Sequence, residues 1–414
     1  MALQLPPALK YRQFTYLWAG LMISVAGSQM QLWALLWHIR ALSDQPIVVS
    51  GIGVVRFLPI LVFSLGAGLV ADLFDRRAIM AITQTSMALV ALCLAWLTVT
   101  GQIRVWHIYL LTAIQAVAVS FDLPARQAMV PNLVPHDVLP SAFSMQSIAF
   151  ELGAIIGPAL SGLVIGYMGQ YAVYLINAVS FLAVLAALLL MGPVPQPSAL
   201  SKQKAFTMTS LTDGVKFIWK RPIILSSMLL DFFATFFSSA NTLLPFVARD
   251  ILKVGPVLYG WLSAAQSIGA VSAGLVLSQR TAIRRQGALL LGAVGVFGLA
   301  TTLFGLSRSF ILTMIILILV GAGDSVSTII RNTVRQMQTP DAMRGRMVSI
   351  TQIFFSGGPQ LGEIEAGLAA QAFGTPVSIV IGGIGCLLVT GLIAWRWPQL
   401  RRYNGDEPLL AEPS

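Results

Sequence analysis

Residues 171–191 read YAVYLINAVSFLAVLAALLLM, 21 consecutive positions without a charged side chain. As an α-helix rising about 1.5 Å per residue, the stretch is roughly 30 Å long, the thickness of a bilayer's hydrocarbon core. In lipid the backbone finds no water, so a helix, which satisfies its own N–H and C=O groups, is the form the stretch must take. The rest of the chain reads the same way. Apolar runs between polar breaks place twelve spans, at 15–39, 48–71, 78–100, 105–127, 141–168, 171–191, 223–248, 257–279, 287–307, 310–332, 345–371 and 377–397. The chain's 414 residues are 56% hydrophobic and 10% charged, with mean hydropathy +0.80. A soluble domain carries about 25% charged residues. No soluble fold of this length can hide so much apolar surface. The fold class is an all-α membrane protein of twelve transmembrane helices.

Lys and Arg orient the set, because they collect on the cytoplasmic side. With the N-terminus inside, the N-terminal tail, alternate loops and C-terminal tail hold 20 of the 26 basic residues. The opposite side holds Arg40, Arg104, Arg249, Lys253 and Arg308, and Arg56 falls within a span. Both termini are therefore expected in the cytoplasm, and the net charge of +10 is loop charge rather than a nucleic-acid surface. The short N-terminus runs straight into an apolar segment, which is expected to act as its own uncleaved targeting signal. Cys93 and Cys386 lie in apolar runs and imply no disulfide framework. His38, His107 and His136 are scattered, so no metal site is expected. No Gly-x-x-x-x-Gly-Lys-Ser/Thr sequence is present for direct use of ATP, and neither an enzyme's catalytic constellation nor a cofactor is indicated.

The longest break, 192–222, begins with Pro193, Pro195 and Pro197 and ends in a short amphipathic stretch from Ser210 to Trp219, expected to lie at the membrane surface. It divides the chain into a six-helix half at 1–191, a cytoplasmic linker at 192–222, a second six-helix half at 223–402 and a cytoplasmic tail at 403–414. The halves repeat at an offset of about 205. Arg126 falls on Arg331, Pro135 on Pro340, Ser144 on Ser349, Phe150 on Phe355, Gly153 on Gly358, Gly157 on Gly362 and Gly162 on Gly367. At 206, Ala67-Gly68-Leu69-Val70 matches Ala273-Gly274-Leu275-Val276. Parallel pseudo-symmetric halves are a known transporter plan, with the substrate site between them near the midplane.

The loop after the second span runs Gly68-Leu-Val-Ala-Asp72-Leu-Phe-Asp75-Arg76-Arg77. A glycine there lets two helices approach closely, and an acid at a helix end pairs with a basic group or a neighbouring helix N-terminus. The loop resembles the signature Gly-x-x-x-Asp and basic cluster of the major facilitator superfamily, with Leu73 standing where a basic residue is usual. The resemblance implies a conformational latch formed by Gly68, Asp72, Asp75, Arg76 and Arg77, with Arg344 or Arg346 as partners across the halves. The fifth span carries Gly153-Ala-Ile-Ile-Gly157-Pro158-Ala-Leu-Ser-Gly162. It is similar to the antiporter motif of exporters in that superfamily, in which small residues allow close contact and the proline loosens one turn. The fourth span has Gln115, but Thr112 stands where the family associates an Arg with proton coupling. Asp122-Leu-Pro124-Ala125-Arg126-Gln127-Ala128, Pro131-Asn-Leu-Val-Pro135 and Gln338-Thr-Pro340-Asp341-Ala-Met-Arg-Gly345-Arg346 resemble the branch that includes the enterobactin exporter and macrolide-efflux proteins. That branch implies export across a bacterial inner membrane without fixing the substrate.

An ionised residue at a helix centre costs roughly 2.5–3.5 kcal/mol. Asp122, Glu151, Asp231, Asp324, Glu363, Glu365 and Arg56 all fall within spans. Most must face the interior, pair, or take up a proton. Glu151 and Asp231 lie roughly 15 Å and 12 Å into their spans at about 1.5 Å per residue, near mid-depth. They are the first candidates for proton coupling, followed by Glu363, Glu365 and Asp324. Glu363 and Glu365 point about 200° apart and cannot both face one site. Asp122 with Arg126, and Asp324 with Arg331, are candidate helix-end pairs. Arg56 could meet an outer glutamate or an anionic substrate. Trp33, Trp37, Phe150, Phe232, Phe233, Phe236, Phe237 and Phe354 either line a cavity suited to a bulky amphipathic solute or pack against neighbours. The expected function is export of a small amphipathic molecule, siderophore or drug-like, by a monomeric proton antiporter working by alternating access. The alternative is a lysolipid or lipid translocator uncoupled from protons.

Overall fold

The computed structural model describes residues 6–194, 216–219, 221–280, 283–339 and 344–405, with backbone alone at 65, 344–346, 348–350, 352–354 and 356. The side chains of Arg344, Arg346 and Phe354 therefore lie outside the description, as do most of the linker's amphipathic stretch and the end of the tail.

Twelve long helices, and no strand, make up the described residues: α1 (Arg12–Leu42), α2 (Pro46–Leu73), α3 (Arg76–Val99), α4 (Val105–Met129), α5 (Leu139–Met168), α6 (Gln170–Met191), α7 (Pro222–Ser238), α8 (Pro256–Ser278), α9 (Gln286–Leu306), α10 (Phe310–Met337), α11 (Arg344–Phe373) and α12 (Thr375–Arg396). Among the described residues, eleven candidate spans are long and apolar enough to cross a bilayer. The remaining helix, α11, is roughly 45 Å long at about 1.5 Å per residue and carries Glu363 and Glu365 in its second half. The seventh span departs from one continuous α-helix. Helix α7 stops at Ser238, and the chain continues through tight and wide turns over Asn241–Leu243 and Val247–Ile251. Ser238, Ser239, Asn241 and Thr242 lie at the break, residues whose side chains compete for backbone hydrogen bonds, and Pro245 follows at the start of the next helical turn, where its missing N–H is tolerated.

The chain forms two compact units. The first comprises Met1–Asp44, Val54–Gln203 and Val254–Ala264, and the second Gln45–Gly53, Lys204–Lys253 and Ala265–Ser414. In the first unit α1 packs on α5 and α6, and α3 on α4 and α6. In the second, α7 packs on α11 and α12, and α9 on α10 and α12. Adding six to each helix number converts one set of pairings into the other. The exchange of short segments follows the same rule: the start of α2 belongs to the second unit and the start of α8 to the first. The offset also relates Gly169 and Gly374, which end α5 and α11 with φ of +88° and +87°. Their N–H groups donate to the carbonyls of Ile165 and Ala370. L side chains rarely adopt that backbone conformation, so glycine closes both helices.

Small residues set the packing inside each unit, as expected where lipid removes the hydrophobic drive between helices. A Cβ at Gly157 would lie 2.9 Å from the carbonyl oxygen of Ala26 on α1, and one at Gly162 would lie 2.7 Å from the Cα of Gly260 on α8. At the equivalent positions of α11, a Cβ at Gly362 would strike the carbonyl oxygen of Phe236 on α7, and one at Gly367 would lie 3.3 Å from the Cα of Ile47 at the start of α2. The glycines of the antiporter-like stretch are thus a close-contact seam that the second half reproduces. At Gly68 no described atom lies within 4 Å of a Cβ built there.

Candidate functional site: two buried charge centres

The first unit's charge centre is built on α3 and α4. Asp122 is fully buried and accepts hydrogen bonds from Thr83 Oγ1 at 3.0 Å and Gln84 Nε2 at 2.9 Å. Arg126, one turn further along α4, closes an ion pair with it at 2.5 Å. The α4 stripe ends beside a cavity of about 270 Å³ walled by Trp18, Arg126, Gln146, Phe150 and Glu151. Trp18 is fixed by its indole N–H, which donates to the carbonyl of Met145 at 2.7 Å. Phe150 is 54% exposed. Glu151 lines the cavity and makes no ion pair among the described residues.

The second unit's centre is more enclosed. Asp231 on α7 is 1% exposed and meets Arg331 of α10 at 3.0 Å and Arg335 at 4.0 Å. Both arginines are buried and tied to their own helix: Arg331 donates to Thr328 Oγ1 at 2.8 Å, and Arg335 to Asn332 Oδ1 at 2.6 Å. Asp324 lies on the same stripe of α10 and within electrostatic reach of Arg331 and Asp231. Asp231 and both arginines are buried, and the half-buried Asp324 adds a second acid to the cluster. Arg331 takes its carboxylate from a different helix, whereas its repeat equivalent Arg126 takes one from its own. Ser327 occupies the position equivalent to Asp122, and its hydroxyl has no hydrogen-bond partner among the described residues. The repeat is kept in backbone and arginine but not in the acid.

The remaining candidates are dispersed. Trp33 and Trp37 pack on Tyr259, with ring centroids 6.2 Å and 4.9 Å away, and the buried Tyr259 hydroxyl donates to the Trp33 carbonyl. Along α7 Phe232 stacks on Phe236 and meets Phe233 edge to face, and Phe236 meets Phe237 edge to face. The Glu363 carboxylate lies against Gly53 at the start of α2. Glu365 and Arg56 are half-buried on α11 and α2.

In the α2–α3 loop, Asp75 caps α3 by accepting from the Arg77 backbone N–H at 3.0 Å. The buried Arg76 donates to the carbonyls of Ala71 and Ala128 at 3.1 and 2.8 Å. Arg77 donates to that of Leu188 at 2.9 Å. Both arginines thus meet carbonyls near the ends of α4 and α6, where the helix dipole favours a cation. Asp72 is 3.7 Å from Arg76 and largely exposed.

A polar seam inside the first unit carries no sequence signal beyond single amides within apolar runs. Asn177 donates to Gln31 at 2.7 Å, Gln31 to Gln115 at 2.6 Å, and Ser180 to Asn177 at 2.9 Å. Nearby, His38 and Tyr174 share a buried hydrogen bond of 2.9 Å.

Comparison with known proteins follows the fold. Residues 5–408 match the family described as Transmembrane secretion effector. The multidrug efflux pump Tap of Mycolicibacterium fortuitum is 26% identical over 92% of this chain and 94% of its own. The enterobactin exporter EntS of Escherichia coli O1:K1 is 29% identical over 82% of this chain and 81% of its own. A bacterial homologue of the human lysosomal transporter Spinster, in an inward-facing and occupied conformation, superposes with a TM-score of 0.75 at 14% identity, covering 95% of this chain and 98% of its own. At that identity the likeness is one of fold.

Proposed function

The chain belongs to the transmembrane secretion effector family of the major facilitator superfamily, and from that premise we propose that it is a secondary active exporter. It moves a small amphipathic molecule, siderophore or drug-like, out across a bacterial cytoplasmic membrane by alternating access, in exchange for protons. Both termini face the cytoplasm, as the basic loops favour. The observation that carries this reading is the Glu151 carboxyl, held near mid-depth of α5 on the wall of a cavity that also presents Phe150 and Trp18. An acid at that depth without an ion pair is costly unless it cycles a proton or a cation. Asp231, bound to Arg331, is the second coupling residue. Arg76, Arg77 and Asp72 of the α2–α3 loop act as the conformational latch.

The test is transport in proteoliposomes under an imposed pH gradient, with siderophores, macrolides and lysolipids as candidate solutes. Glu151→Gln and Asp231→Asn are expected to abolish gradient-driven export while the protein still inserts. Full gradient-driven export by both variants refutes the assignment. Lysolipid movement that ignores the gradient replaces it with lipid translocation.

A further inference from the structure

Arg221 stands where the seventh span begins, at the residue before α7. It is 6% exposed, and its Nη1 atom has no hydrogen-bond partner among the described residues. No ion pair among those residues includes it. Its guanidinium lies over the Phe217 ring, 5.4 Å from the centroid. That ring and the adjoining Ile218 pack with Ile224 and Met228 of α7 and Met347 of α11, so the charge sits beside an apolar cluster. A guanidinium keeps its proton in proteins, and burying one without an acceptor is costly. The repeat shows which group is lacking. At the offset of 205, Phe217 falls on Arg12 and Arg221 on Tyr16. The first half therefore carries a cation and a ring in the reverse order. There the Arg12 guanidinium lies 5.6 Å from the Tyr16 centroid, and its Nε donates to the Tyr16 hydroxyl at 2.6 Å. Phenylalanine offers no oxygen, so the second half keeps the ring and loses the acceptor.

We propose that Arg221 is the centre of an oxyanion site at the start of α7, and that its ligand is a phosphate group, carried by a membrane phospholipid or free in solution. A phosphate offers the pair of oxygens that a guanidinium binds in parallel, and the Phe217 ring supports the flat face of that fork. The setting favours an anion in two further ways. Helix α7 opens with Pro222 and has no side-chain cap, so the positive end of a 17-residue helix dipole stands open beside Arg221. Lys216 is exposed just before it and adds a second positive charge. Trp219, 70% exposed, is of the type that settles at the level of lipid headgroups, where phosphate is abundant. The site is separate from the Glu151 cavity and does not depend on what the chain transports.

Native mass spectrometry of the purified full-length chain counts bound lipid directly. The probes are dioleoylphosphatidylglycerol and dioleoylglycerol, which share their tails and differ in the phosphate. Wild type is expected to hold one phosphatidylglycerol at least about tenfold more tightly than dioleoylglycerol, a difference of about 1.4 kcal/mol. Arg221→Gln should lose about tenfold of that affinity, whereas Lys216→Gln, at the exposed neighbour, should change it by less than about twofold. Phe217→Tyr supplies the internal acceptor that the first half has, keeps the charge, and should weaken binding about threefold. Inorganic phosphate then separates the two sources. Phosphatidylglycerol that stays bound as phosphate is raised assigns the site to lipid, and its displacement assigns the site to the free anion. Wild-type binding of both phosphatidylglycerol and inorganic phosphate by Arg221→Gln overturns the proposal. An equal loss in Lys216→Gln also overturns it, because that marks diffuse attraction to a basic surface. Where Arg221→Gln fails to fold, Phe217→Tyr decides alone, and an unchanged affinity there overturns the proposal.

Discussion

Replacing Asp231 by Asn leaves Arg331 and Arg335, whose side chains are 2% and 5% exposed, without their shared carboxylate. Removing one partner of a buried ion pair costs about 3–5 kcal/mol, because the remaining charge is neither paired nor hydrated. Asp324 stays within reach of Arg331 and supplies part of the lost field. The expected loss is therefore at the lower end, about 3 kcal/mol, or roughly two powers of ten in the unfolding equilibrium. Asp122→Asn provides the internal comparison. Its partner Arg126 keeps 23% of its side chain exposed and reaches water, so the loss is smaller, about 1–3 kcal/mol. Adding Arg331→Gln to Asp231→Asn removes the stranded charge and should recover at least half the deficit. Unfolding free energies in mixed micelles for wild type, both single variants and the double variant form the cycle that isolates the pair. The reasoning fails if Asp231→Asn lies within about 0.5 kcal/mol of wild type, or if the two substitutions are simply additive. Export by the double variant separates the roles: a restored fold with gradient-driven export still lost assigns Asp231 to coupling as well as to the fold.

Two further predictions concern packing and topology. Gly362→Ala drives a methyl group into the Phe236 carbonyl and should cost about 1–3 kcal/mol, whereas Gly66→Ala, with no described atom within 4 Å of the added carbon, should be neutral, as unfolding of both variants will show. In a background lacking Cys93 and Cys386, single cysteines at Lys10 and Asn404 should react with an impermeant maleimide only after spheroplasts are opened. Labelling of either in intact spheroplasts would reverse the orientation drawn from the basic loops.

Much of the architecture was legible because lipid imposes simple conditions on a sequence. Backbone groups must be satisfied within a helix and side chains must be apolar over a fixed length, so spans such as 171–191 can be read without knowing what they touch. The repeat was equally legible, since equal spacing of Arg126 and Arg331, or Gly157 and Gly362, survives in one dimension. The bend after Ser238 was harder to see because residues 238–242 are a short polar stretch inside a longer apolar run, and hydropathy does not register side chains that compete for backbone hydrogen bonds.

The charge centres mark the boundary between the two kinds of information. The sequence by itself determined that six acids lie within spans and that lipid forbids most of them from standing alone. It also determined that Arg126 has an acid one turn behind it. Only the tertiary structure decided that Arg331 is met by Asp231, one hundred positions away on α7, while the nearer Asp324 remains in the same cluster. It also decided that Glu151, unlike Asp122, makes no ion pair among the described residues. The physical reason is that spacing along one helix fixes which residues share its face, whereas pairing between helices depends on their rotation and depth. Those are set by close contacts such as Gly362 on Phe236, which many distant residues determine together.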